Sequence, residues 1–279
     1  MRQTSKPASF AFLLTFVWVC SLALVSDLRA AVPRPEHPRP DAYRANWTSL
    51  NGEWQFEVDA QDNGQARGLM SGKDLASRIL VPFCPESRLS GLGHTGIMKH
   101  VWYRRSFELP AAMQGKRVRL HFGAVDYQAW VWVNGREVGS HIGGSASFGF
   151  EITPLLRPGT NELVVHVFDD TASGNQPCGK QSPTDSHGCL YTRTTGIWQP
   201  VWLEAVGSSF VRRFALTPDP DRSRVLLSVQ VDRPEPGLKL SAEAFAAGKR
   251  VGRDTCPATS GQLSLVLNLS KKRLWEPGS

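Results

Sequence analysis

Beyond residue 30 the chain holds four cysteines, Cys84, Cys178, Cys189 and Cys256, and two of them stand in one loop. That loop, DDTASGNQPCGKQSPTDSHGC over residues 169–189, is rich in Gly, Pro and small polar residues. A structureless connection of this length inside a domain is uncommon and is usually functional or disordered. Cys178 and Cys189 are the best candidate pair for a disulfide. Closing a loop of that size is worth roughly 3 kcal/mol in the chain-entropy description. His187, two residues before Cys189, offers a metal-binding alternative. No second paired-ligand motif of zinc spacing accompanies it, so no metal and no cofactor are expected. Asp169 and Asp170 stand at the mouth of the loop, where Asp commonly ends a strand and caps the turn after it.

The elements that must hold this loop are strands. Val118, Leu120 and Phe122 alternate with Arg119 and His121, the period of a half-buried strand. In Gln128 to Val133, Trp130 and Trp132 share one face, with Ala129, Val131 and Val133 on the other. Asn134-Gly135 then predicts a two-residue hairpin, since a type I′ turn needs positive φ at both central residues. Phe148, Phe150 and Ile152 alternate again, and Pro158-Gly159-Thr160-Asn161 delivers the apolar run Leu163 to Phe168. Trp47 to Phe56 reads as a first hairpin around Asn51-Gly52, and Ile79 to Pro82 and Trp102 to Phe107 as further strands. Residues 60–78 read as a loop, and Tyr191 to Glu204 returns to strand. Short strands joined by Gly, Pro and Asn turns predict an all-β antiparallel sandwich.

Ala205 to Ser209 reads as a junction. After it Phe214 and Leu216, Val225 to Val231, Leu238 to Phe245, and Leu263 to Leu269 form four strand-like runs with no catalytic-looking residues between them. This is the pattern of an immunoglobulin-like sandwich, here without a closing strand after Leu274-Trp275.

At the start, Arg2 and Lys6 precede the apolar run Phe10 to Val25. A Pro-rich leader follows in place of a basic stop-transfer flank, which favours a secretory signal over 1–30 rather than a membrane anchor. Cys20 follows Val17-Trp18-Val19, too bulky for a lipoprotein box. The expectation is an exported protein, periplasmic or extracellular, with no membrane association after cleavage. The resulting domain plan is signal 1–30, leader 31–42, first sandwich 43–206 and second sandwich 210–279. The formal charge is +7, and residues 1–30 carry Arg2, Lys6 and Arg29 against Asp27, which leaves +5 for the rest. Those charges are spread, without the basic stripe and interleaved aromatics of a nucleic-acid binder, so no nucleic-acid partner is expected. Oligomeric state is not legible.

Five motifs occur in order: W-x-x-L-N-G-x-W-x-F (Trp47 to Phe56), V-P-x-x-x-E-S (Val81 to Ser87), W-Y-R-R-x-F (Trp102 to Phe107), V-N-G-x-x-V-G-x-H-x-G-G (Val133 to Gly144) and T-T-G-I-W-Q-x-V-W-L-E (Thr194 to Glu204). Together they resemble glycoside hydrolase family 2, which includes β-galactosidases, β-glucuronidases and β-mannosidases. The resemblance implies a jelly-roll sugar-binding domain over 43–206 and an immunoglobulin-like domain over 210–279. In this family catalysis belongs to a third domain, a barrel of about 250 residues. A retaining glycosidase needs two carboxylates about 5–5.5 Å apart on a rigid scaffold. The family's acid/base glutamate follows an asparagine. Asn161-Glu162 matches that pair only in letters, because it lies in a turn entering a strand. No catalytic residue is therefore expected in this chain.

The resemblance also implies that the loop after the last core strand reaches toward the barrel mouth, where an aspartate contacts sugar or a nearby cation. Asp170 is the best positional match, with Asp169, Gln181, Arg193 and Trp198 as further candidates. An ionised carboxylate accepts sugar hydroxyls, and an aromatic face stacks on the ring; Trp198 has packing between the sheets as its structural alternative. The function implied is that of a non-catalytic N-terminal part of an exported family 2 glycosidase, inactive alone and binding carbohydrate weakly or only with a barrel. The alternatives are a stand-alone carbohydrate-binding module and a non-functional gene fragment.

Overall fold

Alternating apolar and polar residues become seventeen strands in the computed structural model, which describes residues 32–278. The signal expected over 1–30 lies outside the described residues. In chain order the strands are β1 (Trp47–Ser49), β2 (Gly52–Val58), β3 (Ser77–Val81), β4 (His100–Glu108), β5 (Arg117–Phe122) and β6 (Val125–Asp126). Next come β7 (Gln128–Val133), β8 (Arg136–Ile142), β9 (Phe148–Glu151), β10 (Thr160–Phe168), β11 (Gly196–Ile197) and β12 (Val201–Val206). The last are β13 (Phe210–Asp219), β14 (Arg224–Asp232), β15 (Lys239–Ala246), β16 (Lys249–Pro257) and β17 (Gln262–Asn268). The fold is all-β, as the sequence predicts.

The first twelve strands make a jelly-roll sandwich. One sheet runs β1-β12-β5-β9, the other β3-β2-β4-β10-β7-β8, and β11 pairs with β6 at one end. The inner faces enclose Trp54, Phe56, Tyr103, Leu120, Val165 and Leu203, all 2% exposed or less. The two faces of β7 divide as their alternation requires. Ala129, Val131 and Val133 join this core, while Trp132 turns outward to a smaller cluster with Trp102, Val164, Leu69 and Leu75. The segment between β2 and β3, expected as a loop, thus acts as a lid over the outer face of the six-stranded sheet. Glu162 secures it, accepting from the Gly72 N–H at 3.1 Å and pairing with Arg104.

The two Asn-Gly pairs have different fates. Asn134 and Gly135 have φ of 52° and 75° and join β7 to β8 as a hairpin. Asn51-Gly52 does not form the expected hairpin, because β1 pairs with β12 while β2 pairs with β3 and β4 in the opposite sheet. Asn51 is instead buried at the crossing between sheets. Its Oδ1 accepts from the Val201 N–H at 2.9 Å, and its Nδ2 donates to the carbonyls of Pro33 and Arg34 in the leader.

The last five strands form a three-stranded sheet, β13-β14-β17, and the pair β15-β16. Leu227, Val229 and Leu265 are buried between them, with Leu240 and Ala242 packed alongside. Strand β16 is not foreseen by the apolar pattern, since Lys249, Arg250, Arg253 and Asp254 interrupt it. The turn before it places Ala247 and Gly248 at φ 48° and 75°. Arg117, at the start of β5, ties this group to the jelly roll. It donates to Glu151 at 2.6 Å, Asp232 at 2.7 Å and the Ser208 carbonyl at 2.6 Å. Its guanidinium, with those of Arg44 and Arg119, also lies 5.1–5.6 Å from the Phe210 ring centre.

Asn161, the first letter of the Asn-Glu pair, is fully buried and organises the turn into β10. Its Oδ1 accepts from Asn134 Nδ2 (2.8 Å) and the Arg157 N–H (2.9 Å), and its Nδ2 donates to the carbonyls of Arg157 (3.0 Å) and Gly159 (3.1 Å). The strand that this turn enters, β10, lies inside its sheet, between β4 and β7. Replacing Asn161 by Ala removes four bonds and strands buried partners. We expect Asn161→Ala to lower unfolding free energy by roughly 2–4 kcal/mol, read as a shift in urea midpoint at constant slope.

Candidate functional site

Strand β10 ends at the long loop, and Asp169 fixes how the loop leaves. Its N–H donates to the Lys99 carbonyl at 2.8 Å, extending the pairing with β4 by one bond. Its carboxylate is 97% buried and accepts from Thr171 Oγ1 (2.9 Å), Gln176 Nε2 (2.7 Å) and Thr195 Oγ1 (2.7 Å). Both oxygens are therefore committed to the protein. Asp169 holds the two ends of the loop together rather than facing a ligand.

Asp170 points the other way. It is half-buried, and its carboxylate pairs with Lys99 Nζ at 2.9 Å, which holds its pKa below the usual carboxylate range. Gln181 bridges two segments: its Oε1 accepts from the Thr194 N–H at 2.7 Å and its Nε2 donates to Asp126 Oδ2 at 3.0 Å. Arg193 is buried and clamps the loop from beneath, donating to the carbonyls of Ser182 (2.7 Å), Thr184 (3.0 Å) and Thr95. Trp198 is half-buried and stands outside the main core, with its indole N–H on the Gly144 carbonyl at 2.7 Å. Of the five residues expected here, Asp170, Gln181 and Trp198 keep some exposure, whereas Asp169 and Arg193 build the floor.

Three residues not singled out from sequence complete the site. Asp126 is 6% exposed, and its Oδ1 has no hydrogen-bond partner. Burial pushes its carboxyl up to about 6, and the neighbouring charges of Asp169 and Glu86 add to the shift against the Gln181 hydrogen bond. Glu86 is 7% exposed, receives the Thr195 N–H at 3.2 Å on each oxygen, and is likewise raised by burial. Tyr103 is fully buried beneath, its hydroxyl accepting from the Ile197 N–H at 3.3 Å. Two glycines make this packing possible. A Cβ on Gly144 would stand 2.3 Å from Asp126 Oδ1, and one on Gly196 (φ 77°) 2.1 Å from the Tyr103 hydroxyl. The signal that was available is position: Glu86 and Gly196 fall inside the motifs that carry the family resemblance, and Asp126 lies just upstream of one.

The disulfide expected between Cys178 and Cys189 is not formed; both thiols are free. Main-chain bonds close that part of the loop instead, Ser182 N–H to the Tyr191 carbonyl (2.8 Å) and Tyr191 N–H to the Lys180 carbonyl (3.0 Å). They leave Cys189 exposed beside a tight turn at His187–Leu190. Chemically the site gathers three buried carboxylates and one amide, and among the described residues no Lys or Arg pairs with Glu86, Asp126 or Asp169. These carboxylates form the floor of the site, and Asp170, Gln181 and Trp198 are the candidates that keep exposure above it.

The chain is similar in sequence and in fold to several known proteins. Residues 94–179 match the family described as glycosyl hydrolases family 2, sugar binding domain. A putative beta-glucuronidase of Formosa agariphila is 25% identical over 256 residues, covering 88% of this chain and 21% of that protein. The beta-glucuronidase of Paenibacillus borealis is 27% identical over 246 residues, 82% of this chain and 40% of that protein. Among solved structures, a β-glucuronidase from Ruminococcus gnavus in complex with D-glucaro 1,5-lactone superposes with a TM-score of 0.68 at 22% identity, covering 84% of this chain and 41% of that one. The chain thus spans well under half the length of these relatives.

The raised carboxyl of Asp126 gives a pH test. Its folded value, about 6, lies above the ordinary 3.8, so the folded protein holds this proton more tightly than the unfolded one. The resulting stabilisation is fully present below the unfolded value and is lost as pH rises through about 6. We expect Asp126→Asn to melt higher than the parent at pH 8 and close to it at pH 4. Parallel melting curves from pH 4 to pH 8 would contradict the assignment.

Proposed function

We propose that this chain, whose residues 94–179 match the sugar binding domain of glycosyl hydrolases family 2, serves as the non-catalytic N-terminal part of an exported glycosidase. The jelly roll over 43–206 and the immunoglobulin-like strands over 210–279 buttress a catalytic barrel, and the 169–198 loop shapes the mouth of its substrate site. The observation that carries this reading is the loop itself. It is ordered by Asp169 and Arg193 from below, and it presents Asp170, Gln181 and Trp198 at its surface. Rigid support beneath partly exposed polar and aromatic groups is what a sugar subsite requires.

The names of the two relatives above make β-glucuronides the first substrates to try. No pair of carboxylates in the 169–198 loop is assigned a catalytic role. Glu162, the nearest match to a family acid/base by sequence, is held by Arg104 and by the lid. Bond cleavage belongs to the barrel in this reading, and the present domains contribute binding and orientation. Export follows from the N-terminal apolar run and is part of the same proposal.

Two measurements test it. In the protein carrying its barrel, Asp170→Ala should raise KM about tenfold with kcat nearly unchanged, the loss of one charge-assisted hydrogen bond of roughly 1.5 kcal/mol; an unchanged KM would remove Asp170 from the site. The 279-residue chain alone should release no nitrophenol from nitrophenyl glycosides and show no saturable uptake of glucuronate by titration calorimetry. Saturable micromolar binding by the isolated chain would replace this reading with that of a stand-alone carbohydrate-binding module.

A further inference from the structure

On the outer face of the six-stranded sheet, away from the buried carboxylates, two imidazoles and a carboxylate converge. His166 lies in the middle of β10, cross-strand from Trp102 on one side and Trp130 on the other. Its ring stacks between them, 4.4 Å from Trp102 and 5.1 Å from Trp130, and it is 4% exposed. His100 begins β4, pairs in register with Phe168, and packs on that ring at 4.9 Å. Its Nδ1 stands 3.2 Å from His166 Nε2 and 3.2 Å from Asp62 Oδ1. The three donor atoms all lie within 4.8 Å of one another.

The third donor is placed by a rigid turn. Asp62 has φ 50°, and its N–H donates to the Asp59 carbonyl at 3.2 Å. The Asp59 carboxylate gathers the N–H groups of Asn63 (3.1 Å) and Gly64 (2.7 Å) together with Trp102 Nε1 (3.1 Å). This pins the turn over the same tryptophan that supports His166. A Cβ on Gly64 would stand 2.4 Å from that indole nitrogen, so the close approach needs glycine.

Hydrogen bonding alone leaves this cluster unsatisfied. His100 Nδ1 holds at most one proton, yet it faces a carboxylate oxygen and an imidazole nitrogen at the same distance. If it donates to one, the other is served poorly; if it accepts, it meets Asp62 lone pair to lone pair. His166 Nδ1, meanwhile, is buried without a partner. A single cation accepts lone pairs from all three donors together. Ligands about a four-coordinate ion with bonds of about 2.0–2.2 Å are separated by roughly 3.3–3.5 Å, close to the two 3.2 Å spacings that His100 Nδ1 makes. The two rings are nearly parallel, at 11°, with their facing nitrogens almost on the line between centres 5.4 Å apart. An ion shared by them lies off that line, so binding turns the rings about χ2, a broad torsion for histidine, to aim both lone pairs at a common point.

We propose that Asp62 Oδ1, His100 Nδ1 and His166 Nε2 bind one borderline divalent transition-metal ion of the zinc type, with the remaining position open to solvent beside the exposed Asp62. Two imidazoles and one carboxylate suit zinc, cobalt or nickel far better than calcium or magnesium, which take oxygen donors. The ion ties the 59–64 turn to β4 and β10.

The test uses the untagged chain, stripped with chelator and titrated with zinc chloride and with cobalt(II) at neutral pH. One ion per chain is expected, with cobalt absorption of nitrogen and oxygen ligands and no thiolate charge-transfer band. His100→Gln and Asp62→Asn change accessible groups and should each weaken binding at least tenfold, while far-ultraviolet circular dichroism stays that of the parent. Absence of zinc binding, equal affinity in both variants and the parent, or a thiolate band traceable to the free cysteines would overturn the assignment.

Discussion

Strand β10 is hydrogen-bonded along its nine residues to β4, and from Leu163 onward to β7 as well. A strand held on both sides, with its inner face in the core, cannot slip by one residue without exchanging the two faces. Leu163, Val165 and Val167 are therefore fixed inward, and Glu162, Val164 and His166 outward. Everything distinctive in the jelly roll depends on that register. At one end Asn161 closes the turn; at the other Asp169 starts the loop; in the middle His166 lies in its aromatic stack.

Charge is handled in opposite ways at two places in the molecule. At the loop end, carboxylates are buried against N–H and O–H donors, and the cost appears as the raised pKa values of Asp126 and Glu86. Where the jelly roll meets the later strands, guanidinium groups predominate. Arg117 reaches Glu151 and Asp232 together, and three arginines surround Phe210. The pairing with Arg117 holds Glu151 below its ordinary pKa. The first arrangement spends its acceptors on ordering the loop from beneath. The second fastens two groups of strands with bonds that need few apolar contacts.

Much of this was legible in the chain. Period-two alternation located most strands of the jelly roll, the faces of β7 divided as expected, and Asn134-Gly135 marked a true hairpin. The length and composition of the loop after β10 set it apart from the strands, and Asp170, Gln181 and Trp198 are only partly buried. The failures have physical causes. Asn51-Gly52 has the letters of a hairpin turn, but its asparagine is recruited by Val201, some 150 residues away, which no local pattern announces. Strand β16 carries charge on its exposed face and too little apolar period to be seen. The cysteines suggested a bridge that main-chain hydrogen bonds make unnecessary.

By itself the sequence determined which segments could be strands, which turns could be tight, and which family its motifs resemble, because these depend on local periodicity, backbone freedom and short motifs. Only the tertiary structure decided which polar residues are enclosed in the architecture and which keep exposure. Asp169 and Asp170 are adjacent and identical in type, yet one is enclosed by Thr171, Gln176 and Thr195 while the other reaches outward to Lys99. Successive side chains leave an extended backbone on opposite sides. The fate of each is therefore set by what distant strands and loops bring to that side.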